Sequence, residues 1–174
     1  RLDHVHVVYG DRPILQDLSL EVAAGSFFIV IGPNSAGKTT LAKTLAGQVK
    51  LQQGSVEILG RPLPSYSRKA LARRVAVVPQ YAAIEVPFTV SEVVLMGRSP
   101  HLSLAGLETH RDLEIAAAAM AATNITHLAS RPLNQLSGGE LQRVIIARAI
   151  CQQPRVIILD EPTAVLTPPE ADRL

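Results

Sequence analysis

Eight consecutive residues, Gly32, Pro33, Asn34, Ser35, Ala36, Gly37, Lys38 and Thr39, fit the spacing G-x-x-x-x-G-K-[ST]. Two glycines let the backbone turn tightly, so that amide N–H groups and the positive end of a following helix can surround a β-phosphate. Lys38 adds a mobile charge for the β and γ oxygens of a nucleotide such as ATP. Thr39 offers its hydroxyl to a Mg2+ ion bridging those oxygens, and Thr40 extends the contact. A second pair, Asp160 and Glu161, closes the apolar run Val156, Ile157, Ile158, Leu159. Asp160 suits Mg2+ held through water. Glu161, next in the chain and pointed differently, suits a base that polarises an attacking water, with Lys38 and Glu161 as the catalytic pair. Many unrelated nucleotide triphosphatases share such a loop, so the spacing says nucleotide without saying which machine.

These residues need particular elements to hold them. Residues 27–31 and 156–159 are unbroken apolar runs with β-branched content, expected as parallel central strands covered on both faces. Carboxylates at the C-terminal end of such a strand stand where ligands bind in open α/β sheets. Leu18, Leu20 and Val22 alternate with Asp17, Ser19 and Glu21, and Val5 and Val7 with His4 and His6, the period of strands with one wet face. They predict an antiparallel layer near the N-terminus. Further strands are expected at 55–59 and 75–78, each bounded by Gly or Pro. From residue 90 to 150 the period turns helical, with breaks near 99–107 and 131–135. The fold expected is an α/β P-loop core with a mainly parallel central sheet, an N-terminal antiparallel β layer and an inserted helical subdomain.

Leu136-Ser137-Gly138-Gly139-Glu140 opens the helical pattern that runs to Cys151. S-x-x-E is a capping box, in which Ser137 caps the helix and Glu140 returns the bond. The glycine pair exceeds that requirement, because it strips side chains from a helix N-terminus where backbone amides could approach a γ-phosphate. This stretch resembles the signature sequence of ABC ATPases, whose fifth residue is more often Gln. In that family the signature of one subunit faces the phosphate loop of a second, so the resemblance implies a head-to-tail pair of copies with ATP at the interface. It makes Ser137, Gly138, Gly139 and Glu140 nucleotide contacts, Tyr9 the aromatic that stacks on adenine, and Gln80 a catalytic and Mg2+-sensing glutamine.

The resemblance runs from Leu2 to the end of the chain, with departures. Ser35 stands where the family usually has Gly, tolerable if its φ is negative, and Thr167 stands where the loop after Pro162-Thr163 normally has Asp. The family's switch histidine would lie past Leu174, so residues 1–174 are expected to be a single ABC ATPase domain incomplete at its C-terminus, with 88–150 as the helical insertion.

Composition narrows the setting. One domain of ordinary size suits 174 residues. No apolar run approaches the roughly 20 residues of a membrane-spanning helix, and the longest candidate, 115–122, is a short Ala-rich segment. A formal charge of +2 with scattered basic residues gives no case for direct nucleic-acid binding. The single cysteine, Cys151, sits in an apolar helical pattern, as core filler in a reducing compartment would. His101, His110 and His127 lack metal-ligand spacing and read as surface or packing residues.

Residues 88–101, FTVSEVVLMGRSPH, are similar to ATPase subunits of importers for iron-siderophores, haem and cobalamin. That resemblance implies permease subunits as partners and a peripheral place on the cytoplasmic face of the inner membrane. It makes the region after Gln80, including Leu95 and Met96, the groove for a permease helix, against ordinary helix core. The rival readings are a ribosome-associated ABC factor and a non-hydrolysing regulatory ATP module. A chromosome-associated ABC ATPase would need long heptad coiled coils, and none is present.

Overall fold

The computed structural model describes residues 1–79, 88–103 and 106–160. The chain forms two compact units, Arg1–Leu71 and Ala72–Leu174.

In the first unit, strands β1 (Leu2–Tyr9) and β2 (Arg12–Leu20) form a hairpin, followed by helix α1 (Lys38–Leu45) and strands β3 (Gln53–Ile58) and β4 (Arg61–Pro62). The sheet order is β2-β1-β3-β4, and each neighbouring pair is antiparallel. This is the antiparallel layer that the alternation predicts, and the strand expected at 55–59 is β3. Leu2, Val5, Val7, Leu15, Val56 and Ile58 form its buried side. The register of β1 slips between Leu2 and Val5, where His4 takes a left-handed φ of 47°, so the buried positions skip from 2 to 5 before alternating.

The strand expected at 27–31 is not found. These residues join no ladder, and their side chains are exposed, from 45% at Val30 to 90% at Ile31. Apolar content makes a strand only where a neighbouring strand supplies hydrogen-bond partners. In this unit the sheet runs from β2 to β4 without pairing to 27–31.

The second unit contains strand β5 (Val75–Val78), helices α3 (Val90–Leu95), α4 (His110–Ala122) and α5 (Gly138–Cys151), and strand β6 (Val156–Leu159). A short helix α2 (Arg68–Ala72) leads into it. β5 and β6 pair in parallel, Val75 opposite Val156 through Val78 opposite Leu159. A parallel pair needs a long crossover, and α3 to α5 supply it. The two strands have the bounds the sequence predicts, but β6 is half-buried along its whole length, not covered on both faces as expected.

α5 buries two sides. Val144, Ala147 and Cys151, spaced at three and four residues, face α3 and α4 among Val90, Val93, Val94, Ala116, Ala119 and Met120. Ile145, Ile146 and Ala149 face β5 at Ala76 and Val78. At roughly 1.5–3 kcal/mol for each fully buried aliphatic side chain, these contacts outweigh the intrinsic propensity of so short a helix. Burial pushes the Cys151 thiol up to about 11, which makes it the inert core residue that its setting in the sequence suggests.

A 3-10 turn, Met96–Arg98, follows α3 and lies on the last turn of α5. A methyl group at Gly97 would overlap the Arg148 carbonyl oxygen and stand 3.1 Å from the Cys151 Cβ. Gly97→Ala should therefore destabilise the protein by about 1–3 kcal/mol, as overpacking against backbone does. Urea unfolding checks this, and an unchanged midpoint would contradict the close approach.

Candidate functional site

The phosphate loop is exposed from Gly32 to Ala36 and turns into α1 at Gly37. Gly37 is required twice over. Its φ is 91°, and a Cβ there would stand 3.1 Å from Leu15 Cδ2 and 3.3 Å from the Ile14 carbonyl oxygen. The loop is held by the Ala36 N–H donating to the Pro33 carbonyl at 3.2 Å. Lys38 Nζ donates to the carbonyls of Gly32 at 2.9 Å and Pro33 at 3.0 Å, so the ammonium lies over the turn it is expected to serve. Thr39 follows on α1. Thr40 is buried, and its carbonyl accepts from Thr44 Oγ1 at 2.7 Å, so its place is structural as well.

Ser35 is corrected by the structure. Its φ is +68°, so the negative φ on which its tolerance depended is absent. The left-handed conformation costs an L-residue roughly 1–2 kcal/mol, offset in part by the greater chain entropy that glycine would lose on folding. Ser35→Gly should stabilise the nucleotide-free protein by about 0.5–1 kcal/mol. A denaturant midpoint that falls would refute the strain.

The helix starts differ in a way that bears on anions. α3, α4 and α5 each open with a full capping box, Thr89–Glu92, Thr109–Asp112 and Ser137–Glu140. α1 has no side-chain cap and no acidic residue in its first turn. Among the described residues no side chain caps its positive end, which suits an anion.

At the start of α5, Glu140 Oε2 accepts from the Ser137 N–H and from the Ser137 hydroxyl, both at 2.7 Å. Those two donors hold the Glu140 carboxyl below its ordinary range, and Arg131 Nη1 stands 3.8 Å from Oε1. The cap therefore stays charged at neutral pH and weakens only as pH falls through that lowered value. Gly138 and Gly139 have open space where a Cβ would sit, and neither has a positive φ. Nothing within the described residues requires glycine at either position.

Tyr9 ends β1, half exposed, opposite Arg12. Asp160 follows β6, and its N–H donates to the Val78 carbonyl at 3.0 Å. Each unit thus holds part of the expected set: Tyr9 with 32–40 in the first, Asp160 with 137–140 in the second. Gln80, Glu161, Pro162, Thr163 and Thr167 lie outside the described residues. Leu95 is half-buried and Met96 is 40% exposed, so Met96 is not simple helix core.

Sequence reasoning missed a buried ion pair. Arg98 is 5% exposed, and its Nε donates to Asp112 Oδ1 at 2.8 Å. The one signal available was Thr109-x-x-Asp112, a capping box ahead of an apolar helix.

The sequence family described as ABC transporter matches residues 15–164. The chain belongs to the ABC transporter family. Among curated members it is 46% identical over 162 residues to the hemin import ATP-binding protein HmuV of Gloeobacter violaceus, covering 89% of this chain and 58% of that protein. A solved transporter described as metal-chelate type, in an inward-facing conformation, superposes with a TM-score of 0.80 at 32% identity, over 99% of this chain and 63% of that one. An ATP-binding cassette of an ABC transporter, in its ADP conformation, gives 0.82 at 26%, over 99% and 72%. The chain spans a little over half the length of the curated relatives it matches. Its fold is that of the ABC ATPase P-loop domains, with one antiparallel and one parallel sheet among the described residues. Among the described residues, no helix is long and apolar enough to cross a membrane.

Proposed function

We propose that the complete protein is the ATP-hydrolysing subunit of a membrane importer for a haem, iron-siderophore or cobalamin type of cargo. The observation that carries the ATPase reading is the start of α1. There the loop 32–37, Lys38 and a helix end without a side-chain cap combine to fit a polyphosphate. The importer reading is supported by the similarity to hemin import ATP-binding proteins and to a transporter of metal-chelate type.

In this reading the backbone of Gly32 to Gly37 and the Lys38 ammonium hold the phosphates, Tyr9 stacks on the base, and Thr39, Gln80 and Asp160 hold Mg2+. ATP supplies the phosphoryl group, and the metal neutralises charge on its oxygens. In this reading the Lys38 ammonium exchanges the carbonyls of Gly32 and Pro33 for phosphate oxygens, which accept the same kind of hydrogen bond. Glu161 orients and polarises the attacking water. The site is completed by a second copy, whose Ser137, Gly138, Gly139 and Glu140 approach the nucleotide from the other side. Open space over both glycines supports that approach.

Residues 1–174 are then part of a single ATPase domain, with 88–150 as its helical insertion, a division supported by the helices lying between parallel partners β5 and β6. Permease subunits hold it at the cytoplasmic face of the inner membrane, and no direct nucleic-acid contact is assigned. Affinity capture of the full-length protein from membranes, followed by mass spectrometry and an ATPase assay, tests the reading. The expected result is a polytopic permease recovered with Mg-ATP hydrolysis. Recovery without a permease and without hydrolysis would defeat it.

A further inference from the structure

We propose that Arg98 is a positioning residue for the signature end of α5, holding Ser137 to Gly139 where they can meet the nucleotide of a second copy. The proposal rests on the composite site described above and assigns a residue to its control.

Arg98 makes three bonds from one buried guanidinium. Nε donates to Asp112 Oδ1 at 2.8 Å, while Nη1 donates to the Cys151 carbonyl at 2.9 Å and to Gln153 Oε1 at 3.1 Å. Cys151 is the last residue of α5, so its carbonyl is one of those a helix C-terminus leaves without an internal partner. A cation there is also favoured by the negative end of the helix. Asp112 belongs at the same time to α4, where its other oxygen accepts from the Thr109 N–H at 3.0 Å and the Thr109 hydroxyl at 2.7 Å. Those bonds, with the Arg98 guanidinium, hold the Asp112 carboxyl well below its usual range, so the pair stays charged. One side chain thus ties the end of α3, the start of α4 and the end of α5.

Neighbouring contacts close the same junction. His101 Nε2 meets the Gln152 carbonyl at 2.9 Å, and Gln152 Nε2 donates to the carbonyls of Ala72 and Val75, the latter at 2.8 Å. Gly97 brings the backbone onto the Arg148 carbonyl. The other end of α3 is clasped to the segment that leads into the signature. Val90 N–H donates to the Arg131 carbonyl at 3.1 Å, Ser91 N–H to Ala129 at 2.9 Å, and Leu133 N–H to Phe88 at 3.0 Å. Between these clasps Val144 and Ala147 pack on Val90, Val93 and Val94. α5 is a rigid rod of 14 residues, so a shift or tilt at Cys151 reappears at Ser137. A buried arginine gives stability that an apolar residue could match, so what it adds is a directional constraint.

Lysine at 98 keeps the charge but loses the planar fork that reaches Asp112 and α5 together. The full-length protein is tested as Arg98→Lys, with Mg-ATP affinity and ATP-dependent pairing measured in the Glu161→Gln background, and kcat and KM measured with Glu161 intact. The expected result is ATP affinity within about twofold of the parent, with the ATP concentration for half-maximal pairing raised, and kcat lowered, by about tenfold or more, since small misplacements cost that much. A purely structural role would lower the folded fraction and nucleotide-binding capacity together and leave the pairing midpoint of the folded protein unchanged. If Arg98→Lys binds nucleotide substoichiometrically, Asp112→Asn, which keeps an acceptor for Arg98 without its charge, decides by the same readouts. Variants that pair as the Glu161→Gln parent does, and that turn over as the protein with Glu161 and Arg98 both intact does, overturn the role of Arg98 alone. A Glu161→Gln parent that stays monomeric in Mg-ATP overturns the composite site, and this proposal with it.

Discussion

Lys38→Met in the complete protein should bind Mg-ATP roughly 10- to 100-fold more weakly and lose hydrolysis further, with little change in stability. The affinity estimate follows from hydrogen bonds to charged groups, each about 1.5–3 kcal/mol, with about 1.4 kcal/mol for each factor of ten. Stability is largely spared because Lys38 stands half-exposed at the start of α1, where it bonds the loop carbonyls of Gly32 and Pro33 and fills no part of the core. Methionine keeps the length of the side chain and removes the ammonium, so packing is not the variable. Glu161→Gln is the useful contrast, because it should keep ATP affinity and lose turnover, as removal of a group that acts only on the water would. A nucleotide titration by fluorescence, run with steady-state kinetics, separates the two. Unchanged affinity in Lys38→Met would remove the loop from the nucleotide site.

The elements that the sequence made plain are those whose information is local. Val75–Val78 and Val156–Leu159 are short β-branched runs with clear breaks, and both strands have those bounds. Ser137-x-x-Glu140 encodes its cap within one turn, and the cap is present. Where the decisive partner is distant, the pattern fails. Residues 27–31 carry the apolar content of a strand, but a ladder depends on a neighbour that composition does not name. Arg98 and Asp112 are 14 apart, and in a sequence two opposite charges read as solvated until topology buries them together. The φ of Ser35 is set by the path of the loop into α1, which residue type alone leaves open.

Glycines separate these two kinds of information, and Gly139→Ala exploits the difference. At Gly97 a methyl group would strike the neighbouring backbone, so that glycine answers to the fold. At Gly139 the same methyl meets nothing within 4 Å among the described residues, and the position lies in the first turn of α5 with no positive φ. Alanine there should stabilise the isolated protein by about 0.5–1 kcal/mol, because glycine loses more chain entropy in a helix. The composite site predicts the opposite for activity. A methyl group beside the amides at the start of α5 would hold the second copy's nucleotide back by about the 1 Å that costs on the order of 100-fold in a positioned reaction. Gly139→Asp should be worse, since it adds a carboxylate facing a γ-phosphate. Urea unfolding gives the first quantity, while light scattering with Mg-ATP in the Glu161→Gln background and steady-state hydrolysis with Glu161 intact give the second. A Gly139→Ala protein that is more stable and hydrolyses ATP at the normal rate would mean that the open space above α5 receives no partner.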